Sequence, residues 1–158
     1  MLANLPALQV VLPLIAAPIC LICRRAGVAW AFSLAVTWCC LAISILLLIH
    51  VQTVGNISYP MGDWAAPWGI EYRIDTLNAF VLVIVSAIGA VVMPYARRSV
   101  EKEIPVSRIY IFYSMMLLCQ TGLMGIAITG DAFNLFVFLE ISSLSSYVLI
   151  SFGTDRRA

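Results

Sequence analysis

Charge is what this 158-residue chain has least of: Asp, Glu, Lys and Arg together make 11% of it, against 63% hydrophobic residues. A soluble domain of this length cannot hide so much apolar surface, because its exposed positions would have to be filled largely by apolar side chains. The nine basic and eight acidic residues leave a net charge of +1, so there is no basic field for nucleic acid and no acidic disordered tail. Histidine occurs once, as His50, too few for paired haem ligation. The five cysteines, Cys20, Cys23, Cys39, Cys40 and Cys119, are odd in number and all lie in apolar runs, which excludes a disulfide framework. Cys20 and Cys23 fall on one helical face, but neither a histidine nor a second pair accompanies them, so no metal site is expected. The sequence carries no nucleotide, flavin or cluster motif, and therefore no expected cofactor. The first basic residue, Arg24, follows the first apolar run, so the N-terminus reads as that of a mature chain rather than a signal peptide.

What is present is length of apolar run. Stretches able to cross a bilayer, roughly 17 to 25 residues each, fall at about 5–23, 28–51, 75–95, 107–129 and 132–152. The expected fold is an all-α integral membrane domain of five helices occupying residues 1–158. Counting alternate sides, Arg24, Arg25, Arg97, Arg98, Lys102, Arg108, Arg156 and Arg157 share one side, and Arg73 stands alone on the other. The positive-inside rule then puts the N-terminus outside and the C-terminus in the cytoplasm of a multi-pass cell (inner) membrane protein. Asp63, Glu71, Asp75 and Asp131 fall at the outer face. The outer loop between the second and third spans holds Tyr59, Pro60, Gly62, Trp64, Pro67, Trp68, Gly69 and Tyr72. Its pieces NISYP and GIEYRI alternate as a hairpin would. Asn56 opens a three-residue glycosylation match of a kind that chance often supplies.

One ionisable side chain lies near mid-membrane. Glu140 sits at a depth of about 13 Å in the fifth span, at 1.5 Å per residue. A carboxylate there costs at least ~2.5 kcal/mol, so it must be protonated, paired or facing water. Phe133, Phe136, Val137, Ser143, Leu144 and Tyr147 share its side of the wheel, so Ser143 and Tyr147 can supply hydroxyls along the same stripe. Asn134, Ser142, Ser145 and Ser146 lie on the other side, and a helix polar on both faces needs protein around it. A turn at Gly130 brings Gln120 to the depth of Glu140, where the two side chains could meet or Gln120 could simply be packed. Thr121, Gly125 and Thr129 form a small-residue ridge, with Gly122 beside it. His50, at the outer end of span two, reads as an interfacial structural residue.

These residues carry a resemblance. TGDAFNLFVFLEISSLSSYVLI, 129–150, resembles the fifth-helix signature of the D subunit of Mrp-type multisubunit cation/proton antiporters. It is similar, more distantly, to antiporter-like subunits of respiratory complex I and membrane-bound hydrogenases. YRIDTLNAF, 72–80, resembles the start of that family's third helix, and YARRSVEKEI, 95–104, the basic loop after it. The resemblance implies that Glu140 is a proton-binding carboxylate working against a lysine on a later helix; Asp131 and Asn134 stand in its motif, and Gln120 by depth and Ser143 and Tyr147 by the wheel are the possible supporting residues. It implies other membrane subunits as partners, with H⁺ and Na⁺ or K⁺ as the ions moved. Family members have roughly fourteen helices arranged around inverted repeats, so this chain corresponds to the leading part of such a unit. Two other readings stay open: a structural scaffold in a complex I-like or Mrp-like assembly, and an anchor with a quinone pocket near Tyr147. In a complex I-like assembly the redox chemistry belongs to other subunits, since no catalytic centre is read in this chain.

The basic asymmetry makes a direct prediction. In a background with the native cysteines replaced by serine, single cysteines at positions Ser58 and Ser99 should react with a membrane-impermeant maleimide from opposite sides, Ser58→Cys from outside. Equal labelling of both in intact cells would sink the orientation.

Overall fold

The computed structural model describes residues 4–63 and 68–153, so the expectations for Trp64, Pro67, Arg156 and Arg157 lie outside the described residues. Five helices, each long and apolar enough to cross a membrane, account for most of it. They are α1 (Leu5–Cys23), α2 (Ala26–Val54), α3 (Thr76–Glu103), α4 (Ile109–Ile128) and α5 (Ala132–Ser151). Strands β1 (Ile57–Pro60) and β2 (Glu71–Ile74) pair antiparallel between α2 and α3, in the register Ile57 to Ile74 and Tyr59 to Tyr72. The hairpin expected from alternation is therefore present.

The ends of the helices follow local chemistry. Pro6 occupies the first turn of α1, where its missing N–H costs nothing. The two-residue link to α2 is tight enough to force Arg24 into a left-handed conformation, φ 47°. Asp75 caps α3 by accepting from the Asn78 backbone N–H at 2.8 Å, and Asp131 caps α5 by accepting from that of Asn134 at 3.1 Å. Pro105 interrupts the chain after α3, and one 3-10 turn, Val106–Arg108, leads into α4.

One expectation needs correction. The basic stretch that begins at Arg97 reads as a loop, yet α3 continues through it to Glu103. Arg97 bonds Glu101 at 3.1 Å one turn on and lies 4.4 Å over the Trp30 ring of α2, and the Trp30 indole donates to the Met93 carbonyl at 3.2 Å. The exposed ion pair adds little by itself; the aromatic platform under Arg97 and the burial of Val100 and Ile104 hold the extension against the bundle.

Helix α4 is the centre of the bundle. It packs on α1, α2, α3 and α5, and half of its apolar stretch is buried, against 17% for α5. Gly122 and Gly125 set its approach to α5: a Cβ on Gly122 would fall 2.7 Å from the Ser142 Cβ, and one on Gly125 would strike the Phe138 ring. The hairpin docks on the turn between these two helices. Gly130 N–H donates to the Glu71 carbonyl at 2.9 Å, Tyr72 bridges Thr129, and a Cβ on Gly130 would crowd Arg73 and Glu71. Tyr72 is buried, which pushes its phenol above the ordinary value of 10.0, while a hydrogen bond with the Asn134 side chain pulls the other way.

This packing can be tested at two points. Gly125→Leu should force α5 off α4 and destabilise the bundle by about 1–3 kcal/mol or more, read as a lower thermal unfolding midpoint in detergent, whereas Gly27→Ala, with open space around it, should be neutral. Because the folded state holds Tyr72 neutral, its contribution is complete below the ordinary tyrosine value and is lost as pH rises through the raised one. Stability should therefore fall on the alkaline side, and Tyr72→Phe should flatten that fall.

Candidate functional site

The packing of α5 sorts its polar residues onto two faces. Toward α4 lie Asn134, Phe138, Ser142 and Ser145, all buried. Asn134 donates through Nδ2 to Thr129 Oγ1 at 3.1 Å, so it fastens the first turn of α5 to the turn before it. Ser145 donates to the Ile141 carbonyl at 2.6 Å and Ser146 to the Ser142 carbonyl at 2.8 Å, with Ser146 Oγ also 3.4 Å from Cys119 Sγ. These hydroxyls satisfy themselves on their own helix and need no ligand.

The opposite face carries Glu140. Its side chain is exposed and makes no hydrogen bond or ion pair among the described residues. Phe133, Phe136, Leu144 and Tyr147 share this face and are 59% to 73% exposed. The face is thus an aromatic and aliphatic surface with one carboxyl in its middle and the Tyr147 hydroxyl about two turns further along. Ser143 sits at its margin, half-buried. Such a surface cannot rest against lipid with a charged carboxylate; it calls for protein or water opposite Glu140.

Asp131 caps the helix at one end of this face and so positions α5. For Gln120 the structure takes the packed alternative. It is buried, and its amide lies across Gly89 of α3, 2.6 Å from where a Cβ on that glycine would be. The α4 surface that meets α5 is the glycine side, so Gln120 and Glu140, though equally distant from the turn, point to different sides of α4 and do not meet. Distance from the turn fixes depth but leaves the rotation of α4 open.

A polar cluster that sequence reasoning passed over lies inside the bundle. Gln9 of α1 donates through Nε2 to Ser44 Oγ of α2 at 2.7 Å and approaches Met124 Sδ of α4 at 3.0 Å, and Ser86 Oγ of α3 is 2.9 Å from Ser44 Oγ. The sequence signal is weak: Gln9 is the one strongly polar residue of its apolar run, while Ser44 and Ser86 are each one of several polar residues in theirs. His50 is half-buried within α2, which continues past it to Val54. Cys20 is buried, with Sγ 3.5 Å from Ser33 Oγ, while Cys23 is exposed, so the pair does not share an environment. Among the described residues no three His, Cys, Asp or Glu side chains are grouped as metal ligands.

No protein-family model matches the chain. Individual relatives do. The N subunit of NADH-quinone oxidoreductase from Desulforudis audaxviator is 38% identical over 99% of this chain and 32% of its own length. The D subunit of the Na(+)/H(+) antiporter from Alkalihalophilus pseudofirmus is 33% identical over 73% of this chain and 23% of its own. A putative antiporter subunit, mnhD2, of Staphylococcus haemolyticus is 36% identical over 70% and 22% respectively. Among solved structures, a chain of the membrane-bound sulfane sulfur reductase, an archaeal respiratory membrane complex, superposes with a TM-score of 0.87 at 27% identity, over 96% of this chain and 31% of that one. A chain of the Mrp complex from a Dietzia species shares the fold, with a TM-score of 0.80 at 24% identity over 94% and 27%. Both structural neighbours are multisubunit membrane complexes, and this chain spans a third or less of the length of each of these five chains. By sequence and by fold it is a homologue of the antiporter-like membrane subunits, the group that holds the D subunit of the Na(+)/H(+) antiporter and the N subunit of NADH-quinone oxidoreductase.

Proposed function

We propose that this chain forms the leading five-helix part of a proton-translocating subunit in a multisubunit monovalent cation/proton antiporter, with Glu140 as its membrane-embedded proton acceptor. The observation that carries the reading is the position of Glu140: an ionisable group well inside a membrane helix, on a face that nothing else in the described residues covers. A group that changes charge in mid-membrane is what proton transfer requires, and a face open toward further helices is what lets a second titratable group be brought opposite. Asp131 and Asn134 set the start of α5, and Ser143 and Tyr147 are hydroxyls within the same stripe. Gln120 supports the packing of α3 on α4 rather than the proton step. In this reading the hairpin faces outward and the basic ends face the cytoplasm of the cell membrane, Na⁺ or K⁺ is the exchanged ion, and the remaining helices supply the cation that works against Glu140.

A second reading has its own support, since the relative that matches nearly the whole chain is named for an NADH-quinone oxidoreductase and one structural neighbour is a respiratory complex. There the same carboxyl would serve proton movement driven by electron transfer in other subunits of a complex I-like or hydrogenase-like assembly.

The test is cation-driven pH change in inverted vesicles holding the assembled complex. Glu140→Gln should cut exchange about 100-fold or more, as loss of an essential proton carrier does, while Glu140→Asp keeps part of it. Ser142→Ala, on the face packed against α4, should leave exchange near the parent level. Full exchange in an assembled Glu140→Gln complex overturns the assignment, and proton movement that needs a redox substrate but no added cation favours the second reading.

A further inference from the structure

The interior of the bundle holds more hydrogen-bonding capacity than its own residues use. Gln9, Ser44 and Ser86 are each fully buried. Ser44 Oγ donates to the Cys40 carbonyl at 2.9 Å and receives Gln9 Nε2 at 2.7 Å; Ser86 Oγ shares its one proton between the Leu82 carbonyl at 2.6 Å and Ser44 Oγ at 2.9 Å. Gln9 Oε1 is left with no partner, and so are both amide atoms of Gln120, which is 5% exposed. These three atoms lie along one seam. Gln9 touches Met124, one turn beyond Gln120 on α4, and the Gln120 amide lies across Gly89, one turn beyond Ser86 on α3. Pro13 adds to the deficit, because it brings no N–H to the Gln9 carbonyl one turn before it.

A membrane-embedded amide without a partner is disfavoured, since lipid offers none. We propose that this seam is a buried water site, in which at least one ordered water bridges the Gln120 amide to Gln9 and extends the Ser44–Ser86 hydrogen bonds into a polar line across α1, α2, α3 and α4. The ligand is neutral. Gln9, Ser44, Ser86 and Gln120 bring no carboxylate to offset a cation, whereas they offer both donors and acceptors, as a water needs. The site is separate from the Glu140 face, with α4 between them.

Met124 is a built-in reporter: it is fully buried, its sulfur sits beside Gln9, and thioethers take up oxygen readily from hydroxyl radicals. X-ray radiolysis generates those radicals from water where it is bound. The experiment is dose-dependent radiolytic labelling of the protein in nanodiscs, read by mass spectrometry, with fully buried Met93 as internal reference. A water site predicts Met124 sulfoxide forming several-fold faster than Met93 sulfoxide in the unaltered protein, and falling to the Met93 rate in a Gln9→Leu, Gln120→Leu double variant. Equal rates at Met124 and Met93 in the unaltered protein would show a dry seam, in which the two amides pair with each other, and would overturn the proposal without any variant. Undiminished Met124 labelling in the double variant would overturn it too, by placing the water elsewhere.

Discussion

A bilayer offers no hydrogen-bond partner, and that constraint orders everything in this chain. Backbone groups meet it by forming helices. Side chains meet it in three ways here: hydroxyls bond a carbonyl one turn back, as Ser145 and Ser146 do; polar groups from several helices pool, as Gln9, Ser44 and Ser86 do; or the group is left facing outward for something else to satisfy, as Glu140 is. The third solution is tolerable only in a part of something larger, in keeping with a chain that spans a third or less of the length of its relatives.

The hairpin gives that outward face a fixed direction. Through Gly130 and Thr129 it holds the turn from which α5 starts, and through Tyr72 it meets Asn134 in the first turn of the helix itself. The glycine contacts with Phe138 and Ser142 then hold the next two turns. Three successive attachments on one side leave Glu140 no freedom to swing toward α4, so the carboxyl is presented rather than merely exposed.

Much of this was legible in the sequence. Apolar runs and basic asymmetry marked five spans; alternation and turn residues marked the hairpin; the isolation of Glu140 in an apolar run marked it as the candidate proposed above. What failed were inferences about rotation and continuation. The charged residues from Arg97 onward read as a loop because charge usually ends a span, but the ring of Trp30, distant in sequence, supports Arg97, and Val100 and Ile104 among them are buried in the core. Equal depth leaves open whether Gln120 meets Glu140 or packs inside the bundle, because the side of α4 that α5 occupies is set by Gly122 and Gly125. The partners of Gln9 come from three other helices, and no local pattern announces a meeting of that kind.

The brevity of the turn between α4 and α5 bears on how the chain is made. Only Thr129, Gly130 and Asp131 separate the two helices, too few for one to settle in the membrane before the other has left the translocon. Helix α5 is the least apolar of the five, with a mean hydropathy of 1.6 in its span, and a central carboxyl adds about 2.5 to 3.5 kcal/mol to its insertion, against about −0.3 to −0.6 for each central Leu, Ile, Phe or Val. Entering as a hairpin with α4, it presents Ser142 and Asn134 to a helix already beside it, and Glu140 is the one ionisable carboxyl that must wait in lipid. The glycines that let the pair close thus also ease the insertion of the carboxyl-bearing helix.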